Sequence, residues 1–145
     1  MNAGLSAFDL VGSTAVVTGA SRGIGEAIAV AFLRAGADVI ALQRTPPSEA
    51  LRAAARECHQ NLEHVTVDFA DEASVAAAID ETLRVADVDI LVNNAGTQIR
   101  HDSLEFPLSD FDAVMSVNAR SVFQLCTGFA AGMVSRRRGK IVNLA

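Results

Sequence analysis

The sequence predicts an α/β fold in which a doubly wound, parallel β-sheet is covered by helices on both faces. Short and almost uninterrupted apolar runs alternate with longer segments in which apolar residues recur at helical spacing. Strands that are covered on both faces show such continuous apolar runs. Three glycines also follow the first apolar run, where a strand would turn into a helix. The order β-α-β-α-β-α-β-α-β occupies residues 1–145, and we interpret it as one domain.

The first strand and helix have the clearest pattern. Residues 14–18 (TAVVT) are typical of a buried strand, and residues 23–35 have helical periodicity. Gly36 follows as the expected C-terminal cap, because glycine readily adopts the left-handed conformation that ends many helices. The expected buried stripe of this helix consists of Ile24, Ala27, Ile28, Ala31 and Phe32.

The second and third units follow the same scheme with weaker signals. Residues 38–42 are expected to form the second strand. The segment 46–48 (PPS) predicts a turn and the start of a helix that continues through residues 51–57. Residues 64–67 are expected to form the third strand, and Asp71 is expected to open the third helix.

The last strands enclose a long loop and a long helix. Residues 88–92 (VDILV) predict the fourth strand, and a loop is expected over residues 93–108. Ser109 is expected to cap the long helix, with Asp112 three residues later as a weaker form of the capping box. Residues 140–144 predict the fifth strand, which would lie at an uncovered edge of the sheet.

Composition restricts the classes of partner. The net charge of −5 disfavours nucleic acid, because binding to phosphates needs a basic surface. The three arginines at 136–138 are interpreted as part of a solvated loop. No apolar run is long enough to span a bilayer, and residues 1–9 lack the pattern of a secretory signal, so we expect a cytoplasmic protein without a membrane partner. Cys58 and Cys126 lack metal-ligand spacing and are expected at surface or boundary positions, so no metal site is predicted.

The glycine-rich loop predicts a dinucleotide site. Gly19 would let the chain turn sharply out of the first strand, Gly23 would let the main chain approach a pyrophosphate, and Gly25 would let the helix pack closely on the sheet. The helix N-terminus would then offer free N–H groups and a positive dipole end to the anion. An ordinary strand-turn-helix junction is the alternative. The predicted cofactor-binding residues of this loop are Gly19, Ser21, Arg22, Gly23, Ile24 and Gly25.

The end of the second strand favours NADP(H), although NAD(H) remains possible. An acidic residue at this position would bind the ribose 2′-hydroxyl of NAD. This chain has Leu42-Gln43-Arg44 instead, so no carboxylate repels a 2′-phosphate and Arg44 is a candidate to bind it. Arg22 is a second candidate, because a cation at a helix N-terminus is electrostatically misplaced unless an anion binds there. Two solvated surface arginines are the alternative.

Several motifs in order resemble the short-chain dehydrogenase/reductase family. Residues 18–25 (TGASRGIG) resemble its cofactor motif, and residues 93–96 (NNAG) resemble its second motif. Asp68 falls where the family has an aspartate near the adenine, and Asn118 falls where it has the asparagine of its catalytic tetrad. Residues 139–145 (GKIVNLA) resemble the strand that leads to the catalytic serine. The resemblance covers nearly the whole chain and implies a Rossmann-type, NAD(P)-binding domain.

The resemblance also implies individual roles for these residues. Asp68, Asn94, Ala95 and Gly96 would bind the cofactor, the last three on its nicotinamide side, and Asn118 would be the catalytic residue that holds a backbone kink and a water molecule. Asp68 could instead cap a strand or a helix, and Asn94 could be an ordinary turn residue.

The chain departs from the family in its proton-transfer residues. The family uses Tyr as the general acid/base, with a nearby Lys that lowers the pKa of the Tyr and a Ser that orients the substrate. The sequence contains no Tyr, and its single lysine, Lys140, lies at a strand start. We therefore expect residues 1–145 to be the N-terminal part of a longer oxidoreductase, truncated after the fifth strand. A catalytically inactive dinucleotide-binding fragment or a regulatory partner is the alternative.

The loop after the second motif bears on the substrate, a small molecule. Residues 97–106 resemble the loop of sugar-acid dehydrogenases of the gluconate and 2-deoxygluconate group. Arg100 or His101 could attract a substrate carboxylate there, and solvated loop residues are an equally good interpretation. A 3-oxoacyl thioester is the alternative substrate. The helix over residues 109–134 resembles part of the family's dimer interface, which implies that the full-length protein is a homo-oligomer.

Overall fold

A computed structural model describes residues 9–145, which form a five-stranded parallel sheet in the order β3-β2-β1-β4-β5. The reversal of strand order beside the central β1 is the doubly wound topology, so the predicted fold is confirmed. The strands are β1 Thr14–Thr18, β2 Asp38–Gln43, β3 Leu62–Thr66, β4 Ile90–Asn93 and β5 Lys140–Asn143. The helices are α1 Gly23–Arg34, α2 Glu49–Cys58, α3 Glu72–Val85, α4 Leu108–Met115 and α5 Ser121–Arg136.

Two apolar layers hold the sheet, one on each face. Side chains of α3 and α5 pack against one face, where Phe129 and Leu125 are almost fully buried. Side chains of α1 and α2 pack against the other, where Leu33 and Leu51 are fully buried. Burial on both faces explains the continuous apolar runs of the inner strands. Because all strands are parallel, their carboxyl ends meet at one edge of the sheet.

Local patterns misplaced several features, including the fourth strand, which spans Ile90–Asn93 rather than residues 88–92. The buried residues of α1 are Gly25, Ala29 and Leu33, whereas Ile24 of the expected stripe is 66% exposed. Gly25 and Ala29 are buried because the helix lies close to the strands, whereas periodicity alone favoured the larger Ile24 and Ile28 one position earlier. The third strand begins and ends earlier than expected, at Leu62–Thr66. The predicted Ser109 cap is wrong, because Pro107 occupies the cap position of α4 without a side-chain hydrogen bond.

The long helix is interrupted rather than continuous. Residues Ser116–Arg120 form a π-helical turn between α4 and α5, so one extra residue is accommodated in the helix at this point. The turn presents Asn118 toward the loop that follows β4, as described below.

The arginine run is only partly a solvated loop. Arg136 is the last residue of α5, and its guanidinium donates to the Asp87 carboxylate (2.9 Å) and the Val88 carbonyl (2.7 Å). Arg138 forms an ion pair with Asp89 at 3.3 Å. Both side chains thus tie the end of α5 to the segment before β4. Arg137 is exposed in a left-handed conformation, φ 54°.

The remaining compositional predictions concern absences and boundaries. Across residues 9–145, no helix combines the length and apolar character needed to cross a membrane. The same residues hold no group of three or more His, Cys, Asp or Glu side chains arranged to bind a metal ion. Cys58 and Cys126 are both half-buried, as expected. The absence of a secretory signal was predicted from residues 1–9. Of these residues, all except Asp9 lie outside the part of the chain that the structure describes.

Candidate functional site

The glycine loop between β1 and α1 adopts the sharp turn that its sequence predicts. Gly19 and Gly23 have positive φ angles of 66° and 60°, which side chains other than glycine rarely adopt. The Gly19 N–H donates to the Leu42 carbonyl of β2 at 2.9 Å. A Cβ atom on Gly25 would collide with the Gly19 carbonyl and the Asn94 amide, whereas one on Gly23 would have no atom of the described residues within 4 Å. Gly25 is therefore a packing requirement, and Gly23 leaves the main chain accessible to a ligand.

Thr18 and Asn94 join the glycine loop to the second motif. The Thr18 Oγ1 accepts hydrogen bonds from the main-chain N–H groups of Asn94 and Ala95, both at 2.9 Å. The Asn94 side-chain amide donates to the Thr18 carbonyl (3.0 Å) and the Gly19 carbonyl (3.1 Å). Asn94 is thus more than a turn residue. Sequence reasoning assigned no role to Thr18, although a hydroxyl at the end of a buried strand next to a glycine was a usable signal.

The N-terminus of α1 is open to an anion. Ser48 caps α2 by accepting from the Leu51 N–H at 3.1 Å, and Asp71 caps α3 by accepting from the Ala73 N–H at 3.0 Å. Arg22 occupies the same position before α1 in an extended conformation and gives no side-chain hydrogen bond to the helix. Among residues 9–145, the first N–H groups of α1 therefore have no side-chain acceptor, and no atom lies within 4 Å of a Cβ placed on Gly23. These features fit the pyrophosphate of a dinucleotide.

Arg22 and Arg44 are exposed cations, and Arg22 is the residue directly before α1. Arg44 directly follows β2, the strand beside β1. Within residues 9–145, neither side chain lies within ion-pair distance of a carboxylate. Ser21 and Ile24, the other predicted loop residues, are half-buried and 66% exposed, respectively.

Asp68 lies at the same edge of the sheet, on the loop after β3. Its Oδ1 accepts from the Ala70 N–H at 3.0 Å, and its own N–H donates to the Ser74 Oγ at 2.9 Å. The carboxylate therefore helps to form the turn that leads into α3, which agrees with the structural alternative. Its exposed position leaves it accessible to a ligand as well.

Asn118 binds the loop that follows β4. Its Oδ1 accepts from the Thr97 N–H at 2.9 Å, and its Nδ2 donates to the Thr97 carbonyl at 2.8 Å. Gly96 lies beside this pair, because a Cβ atom on it would be 3.5 Å from the Asn118 Oδ1. The predicted catalytic residue thus reaches the predicted nicotinamide-side segment through the main chain of Thr97.

In the next part of the same loop, His101 contacts both α4 and Phe106. The His101 Nε2 lies 2.6 Å from the Asp110 Oδ2 on α4, and the Phe106 ring meets the imidazole edge-on at a centroid distance of 5.1 Å. His101 is therefore already paired. Arg100 is exposed, and its guanidinium has a long contact of 3.4 Å to the Gln98 Oε1. Arg100 and His101 are the two candidates for binding a substrate carboxylate. Of these, Arg100 forms no ion pair with an acidic side chain among residues 9–145.

Comparison with known proteins decides the family. The profile of the short chain dehydrogenase family matches residues 13–145. The chain belongs to the short chain dehydrogenase family. The family resemblance predicted from the motifs is confirmed, and so is the likeness to gluconate-type members.

Relatives of this short-chain dehydrogenase chain are well matched but longer. The 2-dehydro-3-deoxy-D-gluconate 5-dehydrogenase of Escherichia coli is 36% identical over 143 residues, which cover 97% of this chain and 56% of the relative. A gluconate 5-dehydrogenase from Burkholderia cenocepacia, solved in complex with NADP and tartrate, is 39% identical with a TM-score of 0.85 and 97% and 56% coverage. A 3-oxoacyl (acyl-carrier-protein) reductase from Agrobacterium tumefaciens, solved with NADP, is 31% identical with a TM-score of 0.85 and 96% and 54% coverage. The chain spans about half the length of the relatives it matches.

Proposed function

We propose that this chain binds NADP(H) and forms the cofactor half of a short-chain oxidoreductase. The observation that carries the proposal is the junction of Thr18, Asn94 and Gly25, which presents the uncapped N-terminus of α1 beside the open main chain of Gly23. NADP is bound in several solved relatives, including the Burkholderia cenocepacia enzyme. In the whole protein, the bound nicotinamide would supply or accept a hydride as a hydroxyl and a carbonyl interconvert.

The proposed roles follow from position along the carboxyl edge of the sheet. The loop residues Gly19, Ser21, Gly23, Ile24 and Gly25 receive the pyrophosphate, and Arg22 and Arg44 bind the 2′-phosphate. Asp68 lies on the adenine side. Asn94, Ala95 and Gly96 line the nicotinamide side, where Asn118 holds the main chain of Thr97 in place. Binding, orientation and positioning of the loop are thus the contributions of this chain.

The proton-transfer step is proposed for the whole protein and not for residues 1–145 alone. These residues contain no Tyr, and the single lysine, Lys140, is exposed at the start of β5, at the opposite edge of the sheet from the glycine loop. The alternative is a dinucleotide-binding chain without catalysis or with a regulatory role. An assay for hydride transfer by the whole protein separates the two, because a whole protein that binds NADPH and reduces no carbonyl substrate supports the alternative.

A sugar acid is the proposed substrate. The names of the relatives and the exposed Arg100 on the loop after β4 support it, because a guanidinium binds a carboxylate through two parallel hydrogen bonds. The solved 3-oxoacyl reductase with 31% identity supports a 3-oxoacyl thioester as the second candidate. Turnover of 3-oxoacyl thioesters by the whole protein, with none of keto-gluconates, contradicts the first candidate.

A homo-oligomer is proposed for the whole protein. Exposed apolar side chains on α4 and α5 support it: Phe123 is 71% exposed, and Phe111 and Met115 are also exposed. Sedimentation that gives a monomer at all concentrations contradicts this proposal. The cytoplasmic location stays a prediction.

Calorimetric titration with NADPH and NADH tests the cofactor. We expect the chain to bind NADPH more tightly than NADH. Arg44→Ala should weaken NADPH binding by roughly ten- to a hundredfold, since hydrogen bonds to charged groups contribute about 1.5–3 kcal/mol. The same change should leave NADH binding unaltered. Arg34→Ala is the matched control, because Arg34 is exposed in the last turn of α1, away from the glycine loop. NADH binding that equals or exceeds NADPH binding refutes the NADP(H) preference.

A further inference from the structure

Gln43 is a buried polar residue immediately before Arg44. Only 3% of its surface is exposed, although it ends a strand. Its side-chain Nε2 donates to the Thr45 carbonyl at 2.8 Å, and thus spans Arg44. Its Oε1 is buried without a hydrogen-bond partner among residues 9–145. An unpaired buried amide oxygen is unfavourable, so the packing of this position does not by itself explain a glutamine.

The main chain before Arg44 is held from both neighbouring strands. The Gly19 N–H donates to the Leu42 carbonyl at 2.9 Å, from the side of β1. On the side of β3, the Val67 N–H (3.3 Å) and the His64 Nε2 (3.1 Å) both donate to the Gln43 carbonyl. The bond from the Gln43 side chain to Thr45 extends this support to the residue after Arg44. The backbone of Arg44 is therefore held between two fixed points while its side chain stays exposed.

We propose that Gln43 is a positioning residue that sets the direction of Arg44 and thereby the preference for a 2′-phosphorylated dinucleotide. This inference rests on the proposed binding of NADP(H). An exposed arginine loses conformational entropy when it binds a phosphate, and a flexible turn would lose further entropy as its backbone becomes ordered. Because hydrogen bonds already fix the backbone around Arg44, this second loss is reduced. NADH has no 2′-phosphate, so its binding should not depend on this turn.

Gln43→Met tests the proposal, because methionine has similar length but no donor for Thr45. The change also removes the unpaired amide oxygen, so thermal stability should change little. We expect roughly tenfold weaker NADPH binding, which corresponds to about 1.4 kcal/mol, and unchanged NADH binding in calorimetric titrations. Gln43→Leu, which also lacks a donor, is a second variant in case methionine packs badly. Gln124→Met is the matched control, because Gln124 lies on α5 and the change removes a similar hydrogen bond. This bond runs from the Gln124 Nε2 to the Glu72 carbonyl at 2.9 Å.

A double-mutant cycle separates positioning from general stability. If Gln43 acts through Arg44, Gln43→Met should have no further effect on NADPH binding in an Arg44→Ala background. Equal weakening of NADPH and NADH, or no weakening of either, overturns the inference while the proposed function stands. If the wild-type chain binds neither dinucleotide, or if Arg44→Ala leaves NADPH binding unchanged, the proposed NADP(H) site fails first and this inference fails with it.

Discussion

Gly25→Ala is the substitution for which the structure makes the sharpest prediction. Gly25 lies in the first turn of α1 and packs against Gly19, which directly follows β1. A Cβ atom there would lie 2.9 Å from the Gly19 carbonyl carbon, and it would collide with the Gly19 oxygen and the Asn94 amide nitrogen. Those two atoms form a hydrogen bond of 3.1 Å. The added methyl group must therefore break this bond or push α1 away from the sheet.

The expected loss of stability is about 2 kcal/mol. Forcing an extra methyl group into a packed site costs about 1–3 kcal/mol. A lost hydrogen bond adds about 0.5–1.5 kcal/mol. The higher helix propensity of alanine recovers about 1 kcal/mol of these losses. For a chain of this size, a loss of about 2 kcal/mol lowers the Tm by roughly 6–8 °C.

Gly132→Ala in α5 is the control with little expected effect. Among the described residues, its Cβ atom would meet the Arg136 Nη1, which donates to Asp87, at 3.0 Å and no backbone atom outside its own helix. The higher helix propensity of alanine should contribute about 0.5–1 kcal/mol, and disturbance of the exposed ion pair between Arg136 and Asp87 should offset much of this gain, so the Tm should change little. Circular dichroism melts of the wild type and both variants measure the difference. A Gly25→Ala variant that melts at or above the wild-type temperature refutes the account of the junction.

Two further predictions concern the loop after β4 and the surface of α2. Asn118→Ala removes both hydrogen bonds to the main chain of Thr97. Hydrogen exchange at the Thr97 amide should become several-fold faster, and unchanged exchange argues against this role. The pKa of Glu49 is lowered from its usual 4.5 mainly by its hydrogen bond with Arg56, so its contribution is complete above the unfolded value and is lost as the pH falls through the folded value. Glu49→Gln should therefore lower the Tm slightly at neutral pH and leave it unchanged in acid, whereas an equal effect at both pH values contradicts the ion pair.

The fold was predictable because its signals are local and repeated. Continuous apolar runs, helical spacing and the glycines after β1 each depend on neighbouring residues, and all of them favour a parallel sheet covered on both faces. One error arose where a tertiary contact overrode the local pattern, because the close approach of α1 to the sheet buries Gly25 and Ala29 in place of Ile24. The error at α4 was local, since Pro107 rather than Ser109 precedes the helix.

The candidate site was predictable as a set of motifs but not as a set of contacts. Gly19, Asn94 and Asn118 were each identified from their motifs, and the structure finds partners for them. The sequence analysis assigned no role to Thr18 or Gln43. The Thr18 side chain binds main-chain N–H groups that lie 76 and 77 residues away in the sequence. The Gln43 side chain binds the Thr45 carbonyl across a turn whose geometry the sequence does not show. His101 was a candidate for a substrate carboxylate until the structure placed it against Asp110.

By itself, the sequence determined the order of strands and helices, the glycine turn and the family. The tertiary structure decided which of the residues identified from their motifs contact one another. Parallel pairing sets Thr18 opposite Leu42 and places Val17 opposite Val92, so the carboxyl ends of β1, β2 and β4 come to one edge of the sheet. Hydrogen bonds such as that from Asn94 to Thr18 form only after this long-range register exists, whereas periodicity reports only on residues within a few turns of one another.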